Sequence, residues 1–254
     1  MKKLLFIVFT ILLVSCGNKK VAETTPIVEQ NTKEVVESEA TNGPEMDASD
    51  FVNVADAVPD VILEIRYYST YNFVGDRIDG YEAPVALLTK EAAAALKKAS
   101  DTLIAQGYRL KVFDAYRPQT AVNHFIRWAK DVEDAIMKEY FYPQVDKSRL
   151  FELGFICAKS SHSRGSTIDL TLFDMATGRE VDMGCPFDWF GQESYPSYTN
   201  LTKNQLEMRQ LLRNTMINAG FSPFDTEWWH FTLKNEPYPE TYFDFPNQLL
   251  SDAE

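Results

Sequence analysis

Residues 226–231 read TEWWHF, and this hexapeptide constrains the fold more than any other. Its aromatic side chains belong in an interior, yet the same run carries Glu227 and His230. An ionised group taken out of water without a partner is expensive, so a fold that buries the tryptophans has to bring something to the carboxylate and the imidazole. In an ideal strand, residues three apart point to opposite faces. Glu227 and His230 can therefore serve one place only if Glu227 lies in the turn leading into the strand, or at a bulge.

The chain has 254 residues, 45% of them hydrophobic, which is enough for one domain with a substantial core. Its 37 acidic and 25 basic side chains give a formal charge of -12. That balance repels phosphate backbones and anionic lipid, and no basic stripe with interleaved aromatics is present, so nucleic-acid binding is excluded. The start, MKKLLFIVFTILLVSCGN, combines a cationic end, an apolar run too short to span a bilayer comfortably, and small residues around Cys16. It reads as an export signal over residues 1–15. LVSC resembles the lipobox of bacterial lipoproteins, which implies cleavage before Cys16, lipidation of its thiol, and a cell-envelope location anchored to a bacterial membrane and facing the periplasm or the exterior. Residues 17–50 hold eight acidic and three basic residues and no aromatics. Such a segment buries too little to repay its ordering entropy, so residues 16–50 are expected to be a lipidated cysteine and a disordered acidic tether, with the folded domain at 51–254.

Within that domain VILEIRYYS (61–69) is β-branched and aromatic enough for a strand. TKEAAAALKKASDTLIAQG (89–107) predicts a helix with Thr89 as N-cap and Gly107 as a left-handed stop. YRLKVFDAY (108–116) reads as a second strand, and Pro118 stands at the first position of a helix running through QTAVNHFIRWAKDVEDAIMKEY (119–140). TIDLTLFD (167–174) alternates like a half-buried strand, TKNQLEMRQLLRNTMINAG (202–220) is an amphipathic helix ending before Gly220, and EWWHFTL (227–233) is a last strand. Helices and strands mix without regular alternation and without a repeat. The expected class is α+β, a mainly antiparallel central sheet flanked by helices.

Only three histidines are present. His124 falls mid-helix among Phe125, Ile126 and Trp128, with no carboxylate at a helical offset, and reads as structural. His162 lies in SSHSRGSTIDL (160–170), where small residues and Gly165 allow an irregular backbone before a strand begins. In that strand Ile168, Leu170 and Leu172 share one face, so Asp169 and Thr171 share the other. A loop imidazole and a strand carboxylate could then converge on one ion, with His230 as third ligand. Two imidazoles and a carboxylate form a known catalytic zinc set that leaves a position for water. Glu227 would act there as general base.

SSHSRGSTIDL together with EWWHF resembles the VanX-type zinc D-alanyl-D-alanine dipeptidases, subfamily D of the M15 peptidases, within a wider group that includes D,D-carboxypeptidases and hedgehog-like folds. YNFVGDRIDGY (71–81), VFDAYRP (112–118) and MGCPFDWF (183–190) match further, in the expected order over residues 51–245. The resemblance implies a hedgehog/D,D-peptidase-like fold with one Zn2+ per chain, bound by His162, Asp169 and His230, with Glu227 as base. It implies that Arg117 stabilises the oxyanion, that Ser160 and Asp188 hold the free amino group of a small dipeptide, and that Tyr67 lines the same pocket. A guanidinium suits the first task because it donates two hydrogen bonds and keeps its proton; a salt bridge to Asp114 is its plainer use. A carboxylate suits the second because binding an ammonium selects substrates with nothing upstream.

Cys185 departs from the family pattern, where a small polar residue is expected, which bears on substrate preference. Cys157 and Cys185 match no zinc-cysteine spacing; in an oxidising periplasm they allow either a bridge or two buried thiols, and free, buried thiols are the expectation. The implied activity is hydrolysis of D-alanyl-D-alanine-type dipeptides in cell-wall peptide metabolism. Two rivals stay open: a D,D- or L,D-carboxypeptidase acting on peptidoglycan stem peptides, and a non-catalytic envelope-binding lipoprotein. Glu227 and Arg117 argue against the second, since a binder needs no base beside a metal.

Overall fold

The structure, a computed structural model, describes residues 48–250. The signal at 1–15, Cys16 and most of the expected tether lie outside the described residues. The last residues assigned to the tether are folded: Ala48 accepts a hydrogen bond from the Phe51 amide at 2.8 Å, and Asp50 pairs with Lys90 at 3.6 Å. Among the described residues no helix is long and apolar enough to cross a membrane.

The strands are β1 (Phe51–Asn53), β2 (Ile62–Leu63), β3 (Leu87–Thr89), β4 (Tyr108–Asp114), β5 (Thr167–Asp174), β6 (Arg179–Glu180), β7 (Phe221–Pro223) and β8 (His230–Leu233). The helices are α1 (Val54–Ala57), α2 (Lys90–Ile104), α3 (Gln119–Lys130), α4 (Lys138–Phe141) and α5 (Lys203–Ala219). The main sheet has the order β2-β4-β5-β8-β7, with β6 beside the far half of β5. Every pairing is antiparallel except β2 with β4, and β1 and β3 form a separate antiparallel pair. The α+β class with a mainly antiparallel sheet is therefore what forms.

The alternation of 167–174 sorts the aliphatic residues to one face as expected, but the strand is buried on both faces rather than half-buried, Thr167, Asp169 and Thr171 included. Ile168, Leu170 and Leu172 are fully buried, in one cluster with Leu96 and Leu103 of α2 and Leu212 and Met216 of α5. Each such side chain contributes about 1.5–3 kcal/mol by leaving water. Helix α2 is capped by the Thr89 hydroxyl, which accepts from the Ala92 amide, and Gly107 follows with φ +88°. Helix α5 opens with a capping box between Thr202 and Gln205 and closes on Gly220 at φ +111°.

Three expected elements come out shorter. Of residues 61–69 only Ile62 and Leu63 pair in the sheet, and Arg66–Tyr68 coil into a 3-10 turn that buries Tyr67. The helix from Pro118 ends at Lys130 rather than at 140, and Pro118 is its N-cap, extended at ψ 152°, rather than its first residue. The stop is set by contacts of the segment that follows rather than by its helical propensity. Asp131 turns out and accepts from the Glu133 amide, while buried Lys147 donates to the Asp134 carbonyl and lies 3.9 Å from the Trp128 ring. Asp244, from the C-terminal segment, supplies the cap that Pro118 lacks, accepting from the Thr120 amide at 2.6 Å. Finally, residues 227–229 are a turn and only His230–Leu233 is strand.

Gly165 links the loop to β5. It holds φ +78°, and a Cβ there would stand 2.3 Å from the Phe51 ring. Gly107 has a similar φ of +88° but nothing within 4 Å. Gly107→Ala is expected to cost about 1 kcal/mol through backbone strain alone. Gly165→Ala, adding overpacking, should cost about 3 kcal/mol and lower Tm by roughly 6–12 °C. Thermal melts of the two variants side by side check this; equal shifts would remove the steric contribution of Phe51.

Candidate metal centre

Two strands and one turn bring the three candidate ligands together. The β5–β8 register sets Asp169 directly opposite His230. His162 comes from the 3-10 turn Ser161–Arg164, whose N-cap is Ser160 and whose left-handed stop is Gly165. That turn is fixed from outside: Arg164 makes two hydrogen bonds to Glu236, at 2.8 and 2.7 Å, and the Phe243 amide donates to the Ser163 carbonyl at 2.8 Å.

One ligand atom from each of the three residues lies within 4.8 Å of the others. His162 Nε2 lies 3.3 Å from His230 Nδ1 and 3.2 Å from Asp169 Oδ2, and His230 Nδ1 lies 3.1 Å from Asp169 Oδ1. A tetrahedral ion with bonds of about 2.0–2.1 Å needs ligand atoms about 3.3 Å apart. Asp169 is buried, yet its Oδ1 accepts no hydrogen bond even with a ring nitrogen 3.1 Å away. Lone pairs that face a common point rather than each other fit a cation between them. The outer nitrogens are held accordingly. His162 Nδ1 lies 2.7 Å from the Ala115 carbonyl, which can only accept, so the proton sits on Nδ1 and Nε2 faces the centre. His230 Nε2 lies 3.3 Å from Ser161 Oγ. Such partners set the tautomer and orientation of metal-binding imidazoles.

Glu227 and His230 are the two ends of a β-turn, closed by the His230 amide donating to the Glu227 carbonyl at 3.5 Å. This turn resolves the face problem set by their spacing, and places Glu227 Oε2 3.5 Å from His230 Nδ1. Glu227 is partly open to the cavity, with 32% of its side chain exposed. Burial raises its pKa, with Asp169 adding to the effect and His230 opposing it. Asp169 behaves oppositely: burial would raise it, but His162 and His230 together hold it well below the usual carboxylate range. Burial lowers the pKa of His162, whereas for His230 Asp169 and Glu227 outweigh burial and raise it.

All eight candidate residues, His162, Asp169, His230, Glu227, Arg117, Ser160, Asp188 and Tyr67, line one cavity of about 510 Å³. Arg117 Nε donates to Asp114 Oδ2 at 2.9 Å, and its Nη1 reaches Ser160 Oγ at 3.5 Å. The salt bridge to Asp114 and exposure to the cavity therefore coexist. Asp188 is buried with φ 61°, the one non-glycine residue among the described residues with positive φ. Its two oxygens accept from the Tyr67 hydroxyl at 3.2 and 3.0 Å. Burial pushes its carboxyl well above the usual range, with Asp169 adding and Arg117 opposing. A left-handed backbone and a buried carboxylate both cost stability at this position.

His124 lies apart, its Nδ1 accepting from the Asp79 amide at 3.1 Å, in keeping with a structural role. Ser161, Asp114 and the Ala115 carbonyl are contributors that sequence spacing does not single out as orienting groups; their only textual signal is adjacency to His162 and Arg117. The cysteines need correcting in one respect. Both are free, but Cys157 is exposed, on a turn at the cavity rim. Cys185 is half-buried, accepts from Arg209 at 3.5 Å, and has its thiol pushed up to about 11 by burial.

The D-ala-D-ala dipeptidase description of the M15 peptidases matches residues 47–248. The chain belongs to this family. D-alanyl-D-alanine dipeptidases are similar to it throughout their length: that of Enterococcus faecium is 41% identical over 196 residues, covering 77% of this chain and 97% of the relative. That of Enterococcus faecalis is 42% identical over 182 residues, covering 72% and 90%. That of Streptomyces coelicolor is 39% identical over 197 residues, covering 78% and 98%. This M15 chain is thus a metallopeptidase, and the converging His162, Asp169 and His230 give it a place for a metal cofactor.

A divalent ion that binds only the folded M15 domain stabilises it by about 4 kcal/mol at a thousandfold excess over Kd. Adding zinc after chelation is expected to raise Tm by roughly 8–16 °C. Asp169→Asn, which keeps the shape but removes the charge, should lose most of that rise. A wild-type Tm indifferent to chelator and zinc would show that the triangle holds no ion.

Proposed function

We propose that this chain is a zinc-dependent dipeptidase that hydrolyses D-alanyl-D-alanine-type dipeptides with a free amino terminus, in cell-wall peptide metabolism. The observation that carries the proposal is the triangle of His162, Asp169 and His230, with Glu227 3.5 Å from one of its corners and Asp188 in the same cavity. One Zn2+ per chain suits two imidazoles and a carboxylate, and when bound it supplies Lewis acidity that polarises a carbonyl and makes water a stronger acid.

The remaining work falls to side chains. Glu227, its pKa raised by burial, accepts a proton from the attacking water at Oε2 and returns it to the leaving amine. Arg117 lines the cavity, where its Nη1 edge, 3.5 Å from Ser160 Oγ, meets the oxygen that gains charge as the carbonyl carbon becomes tetrahedral. Asp188, steadied by Tyr67, and Ser160 receive the ammonium of the substrate. A carboxyl lifted by burial becomes ionised when a cation arrives, so that pairing favours a free amine over an acylated one. The lipobox at Cys16 adds a lipid anchor, which would hold the domain at the cell envelope through an acidic tether.

Glu227→Ala is expected to keep its zinc and lose turnover by about 10²–10⁴-fold. Metal content measured beside D-alanyl-D-alanine hydrolysis checks it, and normal turnover would remove the base. N-acetylation of the dipeptide should lower kcat/KM by about 10²-fold or more, the loss expected when a buried acid is deprived of its cationic partner. Equal cleavage of the acetylated form would instead favour a carboxypeptidase acting on longer stem peptides.

A further inference from the structure

Asp114 is fully buried at the end of β4 and does not line the cavity. It reaches the site because the β4–β5 register slips at Phe113: Val112 faces Leu170, and the next pair is Asp114 with Asp169. One extra residue in a strand redirects the side chain that follows, and here it turns a carboxylate inward. Both oxygens then find donors. The Tyr81 hydroxyl donates to Oδ1 at 2.6 Å, while Arg117 donates to Oδ2 from Nε at 2.9 Å, with Nη2 also 2.9 Å away.

The other side of this arrangement is what it does to Arg117. Asp114 takes the Nε and Nη2 edge of the guanidinium at 2.9 Å, Asp169 Oδ2 stands farther off at 3.6 Å from Nη2, and the rings of Tyr67 and Phe125 lie 4.9 and 5.3 Å from the guanidinium carbon. The carboxylate fixes rotation within the guanidinium plane and the aromatic faces limit tilting out of it. Nη1 is left towards Ser160 and the cavity. Asp114 does not orient His162 in the same way. Its Oδ2 is 3.6 Å from His162 Nδ1, which is already engaged with the Ala115 carbonyl at 2.7 Å.

We infer that Asp114 is a positioning residue for the reaction, holding Arg117 at the angle at which its free N–H groups meet the developing oxyanion. This rests on the role proposed above for Arg117. An interaction that matters only when charge develops lowers kcat on removal and leaves KM nearly untouched.

The test is a double-mutant cycle with Asp114→Asn and Arg117→Lys in the zinc-loaded protein, reading kcat, KM and zinc affinity. Asp114→Asn should lower kcat by about 10–100-fold, with KM and zinc affinity within about threefold of wild type. Arg117→Lys should lower kcat by about 10²–10³-fold. The double variant should be no worse than Arg117→Lys by more than about threefold, because the two residues act as one unit. Unchanged kcat in Asp114→Asn, a full multiplicative loss in the double variant, or loss of zinc affinity would overturn the positioning role. Normal turnover by Arg117→Lys would instead overturn the oxyanion role on which it rests. If Asp114→Asn does not fold, Tyr81→Phe replaces it in the cycle. A kcat loss of about threefold or more that vanishes beside Arg117→Lys supports the inference, and no loss or a persistent one overturns it.

Discussion

A buried carboxylate oxygen with no hydrogen bond, 3.1 Å from an imidazole nitrogen, is the constraint around which this domain is arranged. Three lone-pair donor groups, with ligand atoms within 4.8 Å of one another, repel and lose hydration unless a cation sits among them. Keeping them there requires a rigid frame. Antiparallel pairing of β5 with β8 supplies two of the three, and a 3-10 turn ending on left-handed Gly165 supplies the third. The sheet is in turn held by the helices packed over Ile168, Leu170 and Leu172. Site and core are thus alternate residues of one strand, which is why a carboxylate can be buried here without loosening the fold.

The cavity separates carboxyl groups by their surroundings. Asp169, between two imidazoles, stays ionised to low pH. Glu227 and Asp188, where burial dominates, are pushed the other way. Groups of one chemical type whose environments drive their proton affinities apart can take different parts in a single reaction. Asp114 is a further case: burial raises its pKa while Arg117 opposes, and it faces its partners rather than the cavity. Its carboxylate is shared between the Arg117 guanidinium and the Tyr81 hydroxyl, so that Arg117 is paired on one edge while it lines the cavity.

Much of this is legible in the residue string, for local reasons. The alternation of 167–174 assigns Asp169 to the face opposite the aliphatic core because side chains in a strand alternate strictly. Thr89, Thr202 and Gly220 act as the caps their types favour. Local signals also mislead where the demand is not local. Residues 131–140 continue a helical pattern, but Asp131 turns out to accept from the Glu133 amide and Lys147 claims the Asp134 carbonyl, which break it. Residues 61–69 read as a strand, but Tyr67 has to coil inward to meet Asp188, 121 positions later. Cys157 reads as a buried thiol and instead lies on an exposed rim, because a lone thiol carries no periodicity from which to read its face.

The amino-acid sequence by itself determined which chemical groups are available: three histidines, of which one lies in a helix among apolar residues, a carboxylate on the polar face of a strand, and an acid at the head of an aromatic run. Only the tertiary structure decided that they meet, because His162 and His230 are 68 residues apart and their 3.3 Å separation depends on strand register and a turn, neither of which is encoded in spacing. The same holds for orientation. The slip at Phe113 that turns Asp114 towards Arg117, the turn that puts Glu227 on the side of His230, and the burial that moves their proton affinities are properties of packed, non-local neighbours, and a linear string contains no distances between them.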